Sequence, residues 1–413
     1  MKKRNCFIGQ SGGPTAAINA SLAGIIAECI DSNQFEHVYG MINGIKGLLE
    51  HKYMDLLDVF NTEEQIRHLK HSPAMYLGSC RYKLPTYQED PQTYESLFHT
   101  FEKLNITDFY YIGGNDSMDT VAKLSVYAST IHSTIRFIGI PKTIDNDLMG
   151  TDHTPGFGSA AKYVATSMLE IAYDSSIYKL NAVTIVEIMG RNAGWLTAAS
   201  ALARTAYNDA PDLIYLPEVP FNQENFLNDI REVFKKKRSV IIAVSEGIKN
   251  ENGQFLDSDS KYAKRDAFGH ILHSGTGKVL ETMVYQEFKC KVRSIELNVL
   301  QRCAMHIASA VDLDESFDIG RCAVHTSMSG QTGVMMVFKR TNNYPYQIEC
   351  EYQDVTEIAN QEQRIPVQWI NSAHNDITQE LYEYLFPLIQ GEVTIRYENG
   401  IPQYANINHL KQD

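Results

Sequence analysis

Two short polar loops carry the residues best suited to chemistry: Gly113-Gly114-Asn115-Asp116-Ser117 and, about thirty positions on, Pro141-Lys142-Thr143-Ile144-Asp145-Asn146-Asp147. Carboxylate and amide oxygens grouped with one lysine can hold a metal ion, take a proton from a sugar hydroxyl and neutralise charge on a phosphoryl group in transit. The same residues have a plainer use as turn caps, because Asp and Asn bond readily to nearby backbone. The two readings are separated by where the loops sit.

Each loop follows an apolar run that reads as a buried strand, Phe109 to Ile112 and Phe137 to Ile140. Both should therefore emerge at the carboxyl edge of one parallel sheet, where open α/β sheets bind their ligands. A third turn, Ser11-Gly12-Gly13-Pro14-Thr15, lies between a strand at Cys6 to Gln10 and a helix at Ala16 to Ile30. Its glycines let backbone amides approach an anion beside the positive end of a helix, although alone such a pair is also an ordinary tight turn. Further strands are predicted at Ala182 to Ile188, Leu213 to Leu216, Val240 to Val244, Cys322 to Thr326 and Val334 to Phe338, with helical patterns between many of them. This alternation predicts a parallel α/β architecture. Glu398-Asn399-Gly400, between Val393 to Tyr397 and Pro402 to Ala405, predicts a hairpin at a sheet edge.

Three stretches imitate other sites. Gly275-Thr276-Gly277-Lys278 looks like the tail of a P-loop, but the leading glycine is missing and Val279 stands where a metal-binding hydroxyl belongs. Gly156-Phe157-Gly158-Ser159-Ala160-Ala161 mimics a dinucleotide fingerprint without a strand in front. Lys235-Lys236-Lys237-Arg238 closes a predicted helix, where cations favour the dipole.

At 413 residues, 44% hydrophobic and 21% charged, the chain suits two globular domains with a sizeable core. A net charge of −13 works against binding nucleic acid, while a small phosphorylated ligand needs only a local positive pocket. No apolar run approaches a membrane span, and Met1-Lys2-Lys3-Arg4-Asn5 leads into a strand rather than a signal-peptide core, which predicts a cytoplasmic location. The seven cysteines are odd in number and scattered, and are expected to be free thiols, most of them packed as small apolar residues.

Taken in order, Ser11-Gly12-Gly13, Leu77-Gly78-Ser79-Cys80-Arg81, Gly113 to Ser117, Pro141 to Asp147, Gly150-Thr151-Asp152-His153-Thr154-Pro155-Gly156-Phe157, Val186 to Arg191, Ser245-Glu246-Gly247 and Gln301-Arg302 resemble the phosphofructokinase family, and within it the pyrophosphate-dependent branch. The resemblance covers about the first three quarters of the chain. It implies two Rossmann-like three-layer α/β domains with largely parallel sheets and the active site in the cleft between them. Residues 1–156 with about 302–365 would hold the pyrophosphate, and about 157–301 with 366–413 the sugar phosphate. It further implies a reversible, Mg²⁺-dependent transfer from pyrophosphate to the C1 hydroxyl of fructose 6-phosphate by a homo-oligomer, a dimer.

Carried over residue by residue, the resemblance makes Asp145 the general base, with Thr143, Ile144, Met189, Gly190, Arg191 and Glu246 holding the sugar phosphate. Gly12, Gly13, Ser117 and Lys142 would hold pyrophosphate, Arg81 would reach the moving phosphoryl group, and Asn115 and Asp147 would face the metal. Asp116 and Lys142 replace glycines of the ATP-dependent members. Asp116 would then oppose an ATP α-phosphate with a like charge, about 4 kcal/mol at ~4 Å and an effective dielectric of 20. Ile45 stands where the ATP-dependent members have a tyrosine near the adenine.

The chain also departs from the family. Asn115 replaces a metal-binding aspartate, Val299 a histidine and Ala182 an arginine of the 6-phosphate clamp, leaving Arg293, Arg302 and Lys179 to serve. Longer sugars such as sedoheptulose 7-phosphate stay open as substrates. Ala23 and Ala27 replace effector-binding arginines, which predicts an enzyme without that allosteric site. The rivals are an ATP-dependent kinase of the same fold, opposed by Asp116 with Lys142, and a non-catalytic regulatory subunit, opposed by the retained Asp145 and Lys142. A dinucleotide-dependent oxidoreductase is a remote third.

Overall fold

A computed structural model describes residues 3–80, 82–177, 179–256, 275–359 and 361–411, with the backbone of 264–265 and 271–272. Apolar runs punctuated by glycine give β1 (Arg4–Gln10), α1 (Ile18–Asp31), β2 (Phe35–Met41), α2 (Gly44–Leu49), β3 (Tyr53–Asp55), α3 (Glu63–Lys70), α4 (Pro91–Lys103), β4 (Ile106–Gly113), α5 (Asn115–Thr130) and β5 (Arg136–Pro141). The chain continues through α6 (Phe157–Ser176), β6 (Ala182–Ile188), α7 (Trp195–Ala199), β7 (Leu213–Tyr215), α8 (Gln223–Phe234) and β8 (Ser239–Ser245). A short antiparallel pair, β9 (Lys264–Arg265) and β10 (Ile271–Leu272), precedes α9 (Thr276–Phe288) and β11 (Lys291–Glu296). Then come α10 (Ala310–Met328), β12 (Val334–Asn343), β13 (Tyr346–Asp354), α11 (Val355–Ile358), α12 (Gln379–Leu385) and the hairpin β14 (Tyr397–Glu398) and β15 (Ile401–Pro402).

These strands form two main sheets. The larger has seven strands in the order β13-β12-β5-β4-β1-β2-β3, parallel except for β3 and β13 at its two edges. The smaller, β11-β6-β8-β7, is parallel throughout. Each is buried on both faces, as parallel sheets require. On the larger sheet one core joins Ile18, Leu22 and Ile25 of α1 with Ile319 and Ala323 of α10, and the opposite core holds Tyr94 and Phe101 of α4 with Met118 and Val121 of α5. The smaller is covered by α6, α7 and α12 on one side and by α8 and α9 on the other. Helices α1 and α10 touch backbone to backbone: a Cβ on Gly24 would lie 1.9 Å from the Phe317 carbonyl oxygen, so only glycine fits there.

Two expectations are corrected. Cys322 to Thr326 is not a strand but part of α10, whose buried Ile319, Gly320, Ala323, Val324 and Ser327 follow helical spacing. The hairpin forms, with Asn399 and Gly400 at positive φ, but among the described residues it pairs only with itself. The chain beyond it returns to the larger sheet's side, where the Ala405 N–H donates to Ser72 Oγ at 2.7 Å and His409 Nε2 lies 2.8 Å from the Tyr76 carbonyl. All seven cysteines are free, and three of them, Cys6, Cys29 and Cys80, are buried. Among the described residues no helix is long and apolar enough to cross a membrane.

Candidate active site

Because β1, β4 and β5 are parallel neighbours, with Gln10 beside Ile112 and Gly113 beside Pro141, the three glycine and acidic loops leave one edge together. The Ser11 N–H donates to the Ile112 carbonyl at 3.0 Å and the Lys142 N–H to the Gly113 carbonyl at 3.0 Å, which ties the loops side by side. Gly12 takes φ +83°, and a Cβ there would stand 3.0 Å from Lys142 Nζ; the positive φ and the close lysine both select glycine. A buried amide network of Gln10 and Asn19 holds the following segment: Asn19 Oδ1 accepts from the Tyr76 N–H at 2.9 Å, and Gln10 Oε1 from the Leu77 N–H at 2.9 Å. Ser79 Oγ donates to the Gly12 carbonyl at 2.7 Å. Arg81, expected to reach the phosphoryl group, lies outside the described residues.

Lys142 is 3% exposed, and its Nζ donates to the Gly13 carbonyl at 2.7 Å. Burial lowers its pKa to about 8, against the pull of Asp145. Asp145 sits two residues beyond Thr143, whose Oγ1 accepts the Asp145 N–H at 3.1 Å. Burial raises the Asp145 pKa, while Lys142, Arg191 and Arg302 act to lower it. Asp147 is pushed up to about 7 by burial, then by Asp145 and Glu362. Ile144 leaves this loop for the core beneath the smaller sheet, so the loop spans the two halves.

The other half contributes from the carboxyl ends of β6 and β8. Ser245 Oγ donates to the Gly190 carbonyl at 2.6 Å, the Gly190 N–H donates to Glu246 Oε1 at 3.3 Å, and the Met189 N–H donates to Gln301 Oε1 at 3.3 Å. Burial raises Glu246 to about 8, reinforced by Asp145 and opposed by Arg191. Arg302 brings Nη1 within 3.2 Å of the place a Cβ on Gly13 would occupy, and its Nε is buried without a partner among the described residues. The carboxyl edges of the two sheets thus face each other across Lys142, Asp145, Arg191, Glu246 and Arg302.

Not every expected residue joins them. Arg293 pairs with Thr184 in the β11–β6 register, well short of the Ile188 end of that strand, and its Nη1 bonds Asp174 Oδ2 at 3.2 Å. Ser117 is 2% exposed and packed under Gly113, with its N–H bonded to the Gly114 carbonyl; it shapes the turn rather than offering a donor to the cleft. Asp116 is exposed at the first turn of α5. Near-water screening brings its like-charge penalty toward ~1 kcal/mol, so electrostatics alone exclude ATP only weakly. Ile45 is fully buried and forms no platform. One residue near the base escaped the sequence reading. Glu362 acts on Asp145 and Asp147 and accepts from Asn192 Nδ2 at 3.1 Å, and it lies in no motif with a chemical signature of its own. Asn146, within the predicted loop, takes φ +55°.

The fit to a divalent ion is partial. Asn115 Oδ1 is buried with no hydrogen-bond partner, as a metal-facing oxygen would be, yet among the described residues no group of three His, Cys, Asp or Glu could hold an ion. That donor set suits Mg²⁺, which keeps waters and takes most of its remaining ligands from substrate phosphates.

A cleft between two three-layer α/β halves, with glycine-bearing loops on one side and a Met-Gly-Arg turn on the other, fits a sugar-phosphate kinase. It belongs to the phosphofructokinase family, whose model matches residues 5–364. It is 40% identical over 411 residues to a pyrophosphate–fructose 6-phosphate 1-phosphotransferase of Halomonas elongata, covering 98% of this chain and 97% of the relative. To an ATP-dependent 6-phosphofructokinase of Yersinia enterocolitica it is 30% identical, over 64% of this chain and 75% of that one. The crystal structure of a pyrophosphate-dependent phosphofructokinase from Marinobacter aquaeolei superposes with a TM-score of 0.86 at 36% identity, covering 98% of this chain and 96% of that one.

Proposed function

We propose that the protein transfers a phosphoryl group reversibly from pyrophosphate to the C1 hydroxyl of fructose 6-phosphate, giving fructose 1,6-bisphosphate and phosphate. The observation that carries this is Lys142, a buried ammonium bonded to the Gly13 carbonyl on the donor side and acting on Asp145 on the acceptor side. Asp145 takes the C1 hydroxyl proton as the sugar oxygen bonds to phosphorus and the bridging P–O bond of pyrophosphate breaks. Burial makes its carboxylate a stronger base than an exposed one, and three nearby cations keep it ionised. Lys142 and Arg302 neutralise charge on the moving group, an effect that lowers the barrier only if it strengthens in the transition state. Arg191 and Glu246 orient the sugar phosphate.

Asn115 and Asp147 would hold Mg²⁺, which when bound polarises the phosphoryl oxygens and shields their charge. The working protein is a cytoplasmic homodimer. Ala23 and Ala27, both buried within the α1 packing, support hyperbolic kinetics without an effector at that helix.

The test is kcat/KM for pyrophosphate and for ATP, measured in parallel for the wild type and for Asp116→Gly. The wild type should favour pyrophosphate by about 10²-fold or more. In the variant ATP should gain about fivefold, the equivalent of ~1 kcal/mol, while pyrophosphate turnover falls. A wild-type preference for ATP would overturn the donor assignment.

A further inference from the structure

Behind the base loop lies a buried ion cluster that none of these steps uses. His153 is 2% exposed, with Nδ1 2.8 Å from Asp152 Oδ1, Nε2 2.8 Å from Glu315 Oε2, and its ring stacked on Phe338 at 4.8 Å. A ring with a carboxylate at each nitrogen donates from both and is therefore a cation. Burial works against that charge, and Glu315 with Asp152 outweighs it, holding the pKa at about 9. Arg340 completes the charge balance: its Nη2 and Nε donate to Asp152 Oδ1 at 2.8 and 3.2 Å, and its guanidinium lies over the rings of Tyr346 and Tyr384. Tyr346 donates its hydroxyl to Glu315 Oε1 at 2.8 Å. Strands β12 and β13 and helices α10 and α12 all meet at this point.

Both chain neighbours of His153 reach the base loop. On one side the Thr154 N–H donates to Asn146 Oδ1 at 2.9 Å, and Thr154 Oγ1 donates to the Thr143 carbonyl at 2.8 Å. On the other, the Asp152 carbonyl accepts the Tyr384 hydroxyl at 2.7 Å, and that hydroxyl accepts from Asn146 Nδ2 at 2.9 Å. Both ends of the Asn146 amide are thereby held at the left-handed residue directly after Asp145. A desolvated cation gripped by two carboxylates tolerates few alternative arrangements, because each would leave a buried charge unpaired.

We propose that His153 is a positioning residue for phosphoryl transfer: the ion cluster it centres fixes, through Tyr384 and Thr154, the backbone from which Asp145 meets the sugar hydroxyl. The proposal rests on Asp145 being the base. A displacement of about 1 Å at a reacting group is worth up to ~10²-fold in rate, so the effect belongs in kcat.

Four variants test it: Tyr384→Phe, His153→Gln, the double variant, and Asp145→Asn, each assayed for kcat, both KM values and melting temperature. Tyr384→Phe keeps the ring and removes only the relay hydroxyl; kcat should fall about 3- to 10-fold with both KM values within about twofold. His153→Gln should lower kcat at least about tenfold, and the double variant should be no slower than His153→Gln alone, since both cuts lie on one path. Wild-type kcat in Tyr384→Phe, losses that multiply in the double variant, or a change in KM in place of kcat would each overturn the proposal. If His153→Gln does not fold, Tyr384→Phe decides alone. Asp145→Asn separates the two readings: if it turns over normally the base assignment fails, and if it is inactive while Tyr384→Phe is normal, only the positioning role fails.

Discussion

Helices α5, α6 and α9 all begin at glycine-bearing turns, yet their first turns meet different fates. At α6 the Gly156 and Ser159 N–H groups donate to Asp312 at 2.8 and 2.9 Å. At α9 the Gly275 and Gly277 N–H groups donate to Glu187 at 3.3 and 2.7 Å. At α5, among the described residues, no side chain caps the helix and the neighbouring Asn115 Oδ1 has no partner. Free amides and a helix dipole attract anions anywhere, but they remain available to a ligand only where the fold does not bring its own carboxylate. The plugs come from 156 and 90 residues away in sequence, so local pattern alone could not distinguish the open turn from the closed ones.

The sharpest way to break this contrast is to exchange a carboxylate of the cleft for one of a plug. Asp145→Asn should lower turnover by about 10²- to 10⁴-fold, the range for losing a general base, with an unchanged melting temperature. Near-normal turnover would place the base elsewhere.

A smaller effect should appear in the pH dependence of the open side. With its pKa lowered to about 8, free-enzyme Lys142 is charged below that value and loses its proton as pH rises through it. The kcat/KM for pyrophosphate should therefore decline above pH ~8, about tenfold per unit at the limit, and Lys142→Met should be slow at every pH without that decline. An alkaline limb that survives the substitution belongs to another group.

The plug should show the opposite signature. Asp312→Ala strands two buried N–H donors at about 1–3 kcal/mol each, so melting should drop by several degrees while kcat stays within about twofold. A kcat loss exceeding the stability loss would make α6 part of the working site.

Much of this was readable in advance because strand and loop alternate sharply at the site. Gly113-Gly114 and Pro141-Lys142 follow apolar runs that the sheet buries completely, so their placement followed from strand polarity alone. Two edge strands were not readable: β13 alternates Tyr, Gln, Ile, Glu and Cys on a mostly exposed edge, and half of β11 is charged. Cys322 to Thr326 shows the usual ambiguity of a short apolar run, which helix α10 resolved only through its full length. Arg293 was placed by motif spacing, and only the register with β6 reveals how far from the strand end it stands. Glu362 and Tyr384 act through tertiary contacts that no local signal announces.

The close passage of α10 over Gly24 has a consequence for how the chain is made. During synthesis β1 to β5 emerge first, and everything from α6 to β11 must follow before α10 and β12 arrive to cover α1 and pair with β5. Through that interval the newborn chain carries a bare parallel edge at β5 and an uncovered apolar stripe on α1, the two kinds of surface most prone to improper association. Slow translation across the middle of the message would prolong that exposure.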